Sequence, residues 1–191
     1  MDIARSDLQE LIAGCKRKDT SARKELYETY ASAMMTICVR YVNERETARD
    51  ILQEGFIKVY TKINTYSGSG SFEAWMKKIF VTTALEYLRD NKSIRFHVEL
   101  QDYHNVTEDE STSVINDLTA EEIMNCIQEL PNGFRTVFNL YAMEGYSHSE
   151  IASLLNIKEA SSRSQLARAR QILQMRIKEL YSDKCKKTIK I

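Results

Sequence analysis

Polar and basic side chains gather near the C-terminus, in a segment that begins at about residue 160. Arg163 carries the fork of N–H donors that bonds guanine in the major groove, and the amide of Gln165 matches adenine in the same way. The neighbouring hydroxyl and guanidinium groups are further candidates for bases or phosphates: Ser161, Ser162, Arg168 and Arg170. These residue types predict a DNA-reading surface. The simpler interpretation is a solvated basic helix face.

Nucleophilic and metal-ligating residues are too scattered to form a catalytic or metal centre. The four cysteines, at 15, 38, 126 and 185, form no C-x-x-C pair, so we predict free and mostly buried thiols in a reducing compartment. The stretch around His148, GYSHS, lacks the second glycine of a nucleophile elbow. Residues 68–73, GSGSFE, are neither a dinucleotide fingerprint nor a P-loop. We therefore predict no enzyme activity, no cofactor and no metal ion.

A second candidate for nucleic-acid chemistry lies between residues 65 and 92. Opening a duplex requires apolar or aromatic surface for unstacked bases and cations for the separated backbones, and residues 71–92 contain both. Trp75 lies on the same helical stripe as Phe72 and Ile79, so a core position is favoured over a wedge between bases. The Gly/Ser loop at 65–70 is the better candidate pocket for a flipped base.

The net charge of zero is a cancellation between segments. Residues 1–95 carry 16 basic and 13 acidic side chains, residues 96–131 carry 9 acidic and no basic ones, and residues 132–191 carry 11 basic and 5 acidic ones. No apolar stretch approaches the roughly 18 residues of a membrane span, and the N-terminus lacks the apolar core of a secretory signal. We therefore expect a cytoplasmic protein without direct membrane insertion, in which two basic segments flank an acidic one.

Helical periods run through most of the chain, so we predict an all-α fold of two small helical domains. In the first half, Ser6 or Asp7 is predicted to cap one helix, Thr20 or Ser21 a second, and Ser71 a fourth. The third helix is predicted to follow residue 43. Its outward face is predicted to carry the polar residues Arg49, Asp50, Gln53, Glu54 and Lys58. Residues 96–116 have no helical period and are predicted to form an acidic linker.

The second half predicts a helix-turn-helix. Thr119 with Glu122 and Ser147 with Glu150 have the capping-box spacing, and Asn156 tolerates the left-handed backbone of a tight turn. The last helix is predicted from about residue 160 to residue 180, with an inward face made of Leu166, Ala169, Leu173, Ile177 and Leu180. A short capped helix, a turn and a longer basic helix are typical of this motif.

Several of these segments resemble the extracytoplasmic-function group of bacterial sigma factors. Residues 49–56, RDILQEGF, resemble the D-x-x-Q-E-x-F signature of sigma region 2, and residues 72–79, FEAWMKKI, look like its F-x-x-W-L-x-x-I segment. Residues matching region 4 follow in order and spacing: Leu130, Pro131, Arg135, Val137, Phe138, Glu144 to Ser147, Glu150 to Ala152, Leu155, Ile157, Leu166 and Arg168 to Arg170. The resemblance covers nearly the whole chain apart from the linker and the last residues.

The resemblance implies an alternative sigma factor that binds core RNA polymerase, directs it to specific promoters and assists strand opening. It assigns residues 1–95 to region 2, 96–116 to the linker, 117–181 to region 4 and 182–191 to a basic tail. Region 2 implies docking on the polymerase clamp helices through Asp50, Gln53 and Glu54. Its implied contacts to the minus-ten element are Ser67, Gly68, Ser69, Lys78, Thr82, Glu86 and Arg89. Thr82 and Glu86 replace an Asn and an Asp or Asn of the family.

Region 4 implies recognition of the minus-thirty-five element through Ser161, Ser162, Arg163, Gln165, Arg168 and Arg170. The implied partners are core RNA polymerase, at its clamp helices and flap, promoter DNA and an anti-sigma factor. The linker is expected either to enter the polymerase channel as a nucleic-acid mimic or to be a plain solvated tether. The alternatives are a stand-alone helix-turn-helix regulator, whose residues 1–95 would sense a ligand or dimerise, and an enzyme.

Overall fold

The computed structural model describes residues 5–91 and 119–188, with side chains described in 6–91 and 119–182. Every regular element in these ranges is helical, which confirms the predicted all-α fold. The chain divides into two compact units, one within residues 1–91 and the other within residues 92–191. The predicted acidic linker at 96–116 lies outside the described residues.

The first unit is built around its second helix. Its helices are α1 (Arg5–Lys16), α2 (Thr20–Tyr41), α3 (Arg45–Lys62) and α4 (Phe72–Asp90), with a 3₁₀ turn at Ile63–Thr65 after α3. Helix α2 packs against the other three. Its buried residues include Leu26, Met34, Ile37 and Tyr41, which are spaced as one helix face requires.

Local hydrogen bonds decide where these helices begin, and two predictions of caps are wrong. Asp19, not Thr20 or Ser21, caps α2, because its carboxylate accepts from the N–H groups of Ser21 and Ala22 at 2.7 and 3.0 Å. These bonds lower the pKa of Asp19. Helix α1 already includes Ser6 and Asp7, so neither precedes it. The prediction for Ser71 is confirmed, since its hydroxyl accepts from Ala74 N at 3.3 Å at the start of α4.

Helices α3 and α4 approach each other closely at Gly55. A Cβ atom at this position would lie 2.3 Å from the Phe80 ring, well inside van der Waals contact. The Phe80 ring in turn packs edge-on against Phe56, with centroids 5.2 Å apart. Glycine is therefore required here by the space that the α4 aromatic ring occupies, and the contact sets the separation of the two helices that carry the predicted region 2 residues.

Gly55→Ala is expected to lower the free energy of unfolding of the first unit by about 1–3 kcal/mol, the usual cost of overpacking a core. Fluorescence of Trp75, the only tryptophan, measures this unit's transition in urea. Gln53→Ala, an exposed substitution on the same helix, is the control and is expected to change stability by less than about 0.5 kcal/mol. Equal stability of the two variants would contradict the packing argument.

The second unit forms around the last helix. Its elements are α5 (Ala120–Gln128), α6 (Asn132–Phe138), a π-helical segment (Asn139–Met143), α7 (His148–Leu155) and α8 (Glu159–Thr188). Both predicted capping boxes are confirmed, at Thr119 with Glu122 and at Ser147 with Glu150. Asn156 has the predicted left-handed backbone, with φ 53°, and Gly145 after the π-helical segment has φ 76°. The core joins α5, α6 and α8 through Cys126, Ile127, Leu130, Phe134, Ala169, Ile172 and Leu173.

Helix α8 continues to Thr188, beyond the predicted end near residue 180. Residues 181–187, YSDKCKK, contain no glycine or proline that would stop a helix, and lysine is a good helix former. The predicted basic tail at 182–191 is therefore helical in its first part.

Candidate nucleic-acid interface

The cysteine side chains within the described ranges are inert. Cys15, Cys38 and Cys126 are free and buried, as predicted. Burial raises the pKa of the Cys38 thiol to about 12, so this group stays protonated at neutral pH. Among the side chains that the structure describes, no group of three His, Cys, Asp or Glu is arranged to bind a metal ion. No helix of the described part of the chain is long and apolar enough to cross a bilayer.

The outer face of α3 is a stripe of exposed polar residues. Asp50, Gln53 and Glu54 are all exposed, and Ile57 continues the stripe one turn later with 58% of its surface accessible. The inner face of the same helix is buried at Ile51. Ile57 is not among the residues predicted from the sequence for the outer face. The exposure of Ile57 could have been predicted from the sequence, because an isoleucine three residues after Glu54 falls on the outward side of this helical period.

Lys58 links this stripe to helix α4. Its ammonium group lies 2.6 Å from a carboxylate oxygen of Glu86 and 3.6 Å from one of Glu54. The Lys58 side chain is only 25% accessible, so its charge is partly shielded from water. The predicted DNA contact of Glu86 requires a neighbouring cation or a base amino group, and Lys58 is such a cation.

A groove of about 210 Å³ lies between α3 and α4. Its cations are Lys58, Lys62 and Lys78, while Thr82 and Glu86 line it from α4. The groove brings three of the predicted minus-ten residues together on one surface: Lys78, Thr82 and Glu86. The Thr82 hydroxyl donates to the Lys78 carbonyl at 2.8 Å and remains exposed. Such a surface offers hydrogen-bonding groups flanked by positive charge.

Trp75 forms one wall of the groove and part of the core. Its ring is half-buried and lies 5.5 Å, centroid to centroid, from the rings of Tyr66 and Phe72. Tyr66 also closes the Gly/Ser loop, because its hydroxyl donates to the Gly70 carbonyl at 2.8 Å. Aromatic packing therefore connects this loop to the groove, although the loop residues do not line it.

The other predicted minus-ten residues are exposed outside the groove. Ser67 and Ser69 share a hydrogen bond of 3.0 Å between their hydroxyls, and Gly68 between them has φ 84°. Open space surrounds Gly68, so its backbone conformation, not crowding, accounts for the glycine. Arg89 is exposed near the end of α4.

Helices α7 and α8 form the predicted helix-turn-helix, with a left-handed turn at Asn156. The exposed face at the start of α8 consists of Ala160, Arg163, Ser164, Ala167 and Arg170. Arg163 forms an ion pair with Glu159 one turn earlier, and both side chains are largely exposed. Ser164 is not among the residues predicted from the sequence for this face, and its hydroxyl donates to the Ser161 carbonyl at 3.0 Å.

Two residues predicted to contact DNA are instead in the interior. Ser162 is 0% exposed and Gln165 is 5% exposed. Both lie one turn before inward residues, Ser162 before Leu166 and Gln165 before Ala169, so the helical period puts them on the core side. A buried side chain cannot reach a base edge, and the prediction of DNA contacts is wrong for these two in this conformation. Ser161 and Arg168 are half-buried.

Ser162 instead connects α8 to α7 through a hydrogen bond. Its hydroxyl lies 2.9 Å from Nδ1 of His148, the first residue of α7. The His148 ring stacks on Tyr141 with centroids 4.7 Å apart, and the Arg170 guanidinium lies 5.7 Å from the Tyr141 ring. These contacts join the π-helical segment, α7 and α8, so they fix the start of α8 against α7.

Both halves of the chain match known families. Residues 26–94 match the family model for Sigma-70 region 2, and residues 120–173 match that for Sigma-70, region 4. The RNA polymerase sigma-H factor of Pseudomonas aeruginosa is 28% identical over 182 residues, 90% of this chain and 94% of that protein. The ECF RNA polymerase sigma-E factor of Haemophilus influenzae is 29% identical over 182 residues, 90% and 96% of the two chains. The chain belongs to the extracytoplasmic-function group of the sigma-70 family.

A solved structure agrees with this fold. The sigma factor RpoE in complex with the anti-sigma factor NepR, from Bartonella quintana, aligns with a TM-score of 0.50 and 17% identity over 81% of this chain and 96% of that one. The present sigma factor directs RNA polymerase to promoters and is not an enzyme. The alternatives of a stand-alone regulator and an enzyme are therefore rejected.

Arg135 of this sigma factor belongs to the region 4 motif but is structural. It is 2% exposed, and its guanidinium donates to the carbonyls of Gln128 and Leu130 at 2.6 and 3.3 Å and to Oδ1 of Asn132 at 2.6 Å. Burial lowers the pKa of this guanidinium, but arginine remains charged at neutral pH. The side chain thus satisfies carbonyl groups near the end of α5 that would otherwise lack partners.

Proposed function

We propose that the first unit of this sigma factor docks on the polymerase clamp helices and opens the minus-ten element, while the second reads the minus-thirty-five element. The single observation that carries this proposal is the separation of two surfaces on α3 and α4. An outward stripe of Asp50, Gln53 and Glu54 faces away from the core, and a lysine-lined groove lies on the α4 side. One small unit therefore offers different chemistry to a protein and to DNA.

The α3 stripe suits a protein partner. It combines a carboxylate at Asp50 and an amide at Gln53 with the exposed apolar side chain of Ile57. Protein interfaces combine apolar and polar contacts in this way. Glu54 already pairs with Lys58, so docking through Glu54 would exchange that partly exposed pair for a contact with polymerase.

Gln53→Ala and Glu54→Ala are each expected to weaken association with core polymerase about fivefold, since interface residues that matter cost about 1 kcal/mol or more when truncated. Competition with another sigma factor for a limiting amount of core measures the effect. Glu28→Ala is the matched control, because Glu28 also pairs with a lysine one turn away, Lys24, but lies on α2. Normal competition by both α3 variants would reject the docking assignment.

The groove suits a DNA strand taken out of the duplex. Lys62 and Lys78 supply charge for a phosphate backbone, and the half-buried Trp75 supplies an aromatic wall. Positive grooves with aromatic walls are the common way in which proteins bind unpaired strands. We propose that Thr82 and Glu86 contact bases there, with Arg89 on the adjoining backbone. The exposed loop of Ser67, Gly68 and Ser69 is the proposed site for a flipped base.

Lys78→Gln is expected to slow open-complex formation and to reduce the slope of log affinity against log salt concentration by about one unit, the effect of one lost phosphate contact. Permanganate reactivity of the minus-ten thymines in the holoenzyme complex measures strand opening. Lys77→Gln is the matched control, since its neighbouring ammonium pairs with Glu73 and does not line the groove. Equal strand opening by the two variants would contradict the proposed role of the groove in opening the minus-ten element.

The second unit has the geometry of a major-groove reader. Arg163 and Ser164 are exposed in the first turns of α8, the part of a recognition helix that reaches base edges. We propose Arg163 as the principal base contact and Ser161, Arg168 and Arg170 as phosphate contacts. Arg170 beside the Tyr141 ring is partly oriented for such a contact. Docking of this unit on the polymerase flap completes the proposed arrangement.

An anti-sigma factor is the further proposed partner. Support comes from the Bartonella sigma factor, whose structure is a complex with an anti-sigma factor. Such a partner would compete with polymerase if it covered Ile57 and the α3 stripe. Since polymerase and promoters share the cytoplasm, we place the proposed activity of this sigma factor there.

A further inference from the structure

A second cavity, of about 550 Å³, lies in the first unit where α1 ends, α2 begins and α3 ends. Three cations line it, Lys16, Lys18 and Arg23, and no acidic residue does. Its opposite wall comes from α3 and the turn after it, through Tyr60, Thr61 and Asn64. The cavity shares no lining residue with the groove between α3 and α4.

Arg23 is the unusual group in this cavity. It is half-buried, its guanidinium lies 5.3 Å from the Tyr60 ring, and its Nε is enclosed without a hydrogen-bond partner among the described residues. No ion pair to Arg23 or Lys18 is formed within the part of the chain that the structure describes. A shielded charge without a counter-charge is unfavourable, so the cavity is complementary to an anion from outside.

Lys18 has a left-handed backbone conformation. Its φ is 65°, in the left-handed region that glycine and asparagine adopt most readily after a helix. The turn is closed by bonds from Lys18 N to the Cys15 carbonyl at 3.0 Å and from Asp19 N to the Gly14 carbonyl at 3.1 Å. A lysine here carries a backbone cost that a glycine would avoid, and in return it brings an ammonium group to the cavity.

No negative charge lines the cavity to neutralise these cations. Burial raises the pKa of the Cys15 thiol, while the smaller effect of Arg23 lowers it, so the thiol is protonated at neutral pH. Asp19 and Glu25 are close enough to influence Cys15, but neither lines the cavity, and the Asp19 carboxylate is bound by the first N–H groups of α2. Lys16 already donates to the Tyr66 carbonyl at 3.1 Å and keeps further donors.

We propose that this cavity is a binding site for a phosphate group. The three cations and the Asn64 amide that line the cavity match the several oxygens and the charge of a phosphate better than a single carboxylate. The volume also exceeds that of an isolated phosphate, so the ligand is a nucleotide or a strand of DNA that places a phosphate beside Arg23. The site shares no lining residue with the groove proposed for promoter DNA, but it shares Ile57 with the α3 stripe proposed for docking.

Titration of the full chain with inorganic pyrophosphate, followed by backbone amide NMR, tests this site. Saturable shifts are expected in residues 15–23 and 57–64. Lys18→Gly is expected to weaken pyrophosphate binding about fivefold, the effect of one ion pair at about 4 Å in water, while thermal stability does not fall. A structural role of Lys18 would lower stability, whereas glycine suits φ 65°.

Lys24→Gln is the matched control, because it removes one exposed charge from α2 outside the cavity and should leave pyrophosphate affinity unchanged. Parallel titrations with ATP and with single-stranded hexathymidylate identify the source of the phosphate, and the tighter ligand is the class bound. Three results would overturn the site: shifts that do not saturate, equal weakening by Lys24→Gln, or tighter binding of a hexaglutamate peptide than of pyrophosphate at equal ionic strength.

Discussion

Arg163→Ala is expected to lower the affinity of the holoenzyme for its cognate minus-thirty-five element by about 1–3 kcal/mol, the value of one good base contact. Arg163 is exposed in the first turns of α8, and its only described ion pair, with Glu159, is itself exposed and therefore weak. Exchange of that pair for a base contact costs little. Fluorescence anisotropy of promoter fragments with cognate and scrambled elements measures the loss, with fragments chosen by mapping transcription starts after overexpression.

The specificity ratio distinguishes a base contact from a general loss of charge. Arg176→Ala removes an exposed arginine from the same helix, where it pairs with Glu129 and Glu179 at 3.5 and 3.3 Å. This control should leave the ratio of cognate to scrambled affinity unchanged, whereas Arg163→Ala should reduce it. An unchanged ratio for Arg163→Ala would refute the base contact.

Arg135→Met is expected to destabilise the second unit by about 3–5 kcal/mol. The buried guanidinium donates to the Gln128 and Leu130 carbonyls and to Asn132, and methionine would leave the two carbonyls unsatisfied. Each buried acceptor left without a donor costs about 1–3 kcal/mol. Hydrogen exchange is the suitable measurement, because it reports on each unit separately: protection of amides in α6 and α8 should fall, while protection in α2 to α4 should not.

Two further substitutions control this result. Arg170→Met removes an exposed arginine whose guanidinium lies beside the Tyr141 ring, and it should change amide protection by no more than about 1 kcal/mol, the value of an exposed cation–π contact. Arg135→Lys keeps the charge but loses the planar fork, so its effect should lie between those of the other two variants. Equal protection in Arg135→Met and Arg170→Met would contradict the structural role of Arg135.

The amino-acid sequence by itself determined the features that depend on neighbours within about four residues. The capping boxes at Thr119 and Ser147 and the left-handed turn at Asn156 are such features, because their partners lie in the same turn of chain. The outward stripe on α3 was predictable for a related reason. A strong apolar period on one face leaves Asp50, Gln53 and Glu54 on the other, whatever the helix packs against.

Only the tertiary structure decided which polar residues are bound to other helices. Ser162 was predicted to contact DNA, but His148 from α7 binds it in the interior. Glu86 forms an ion pair with Lys58, 28 residues away, and both residues line a groove that no local sequence pattern predicts. The uncompensated charge of Arg23 likewise depends on α1 and α3 as well as its own helix. The helical period predicts the face of a helix on which a side chain lies. The partner and the burial of that side chain are set by the helices that pack across from it.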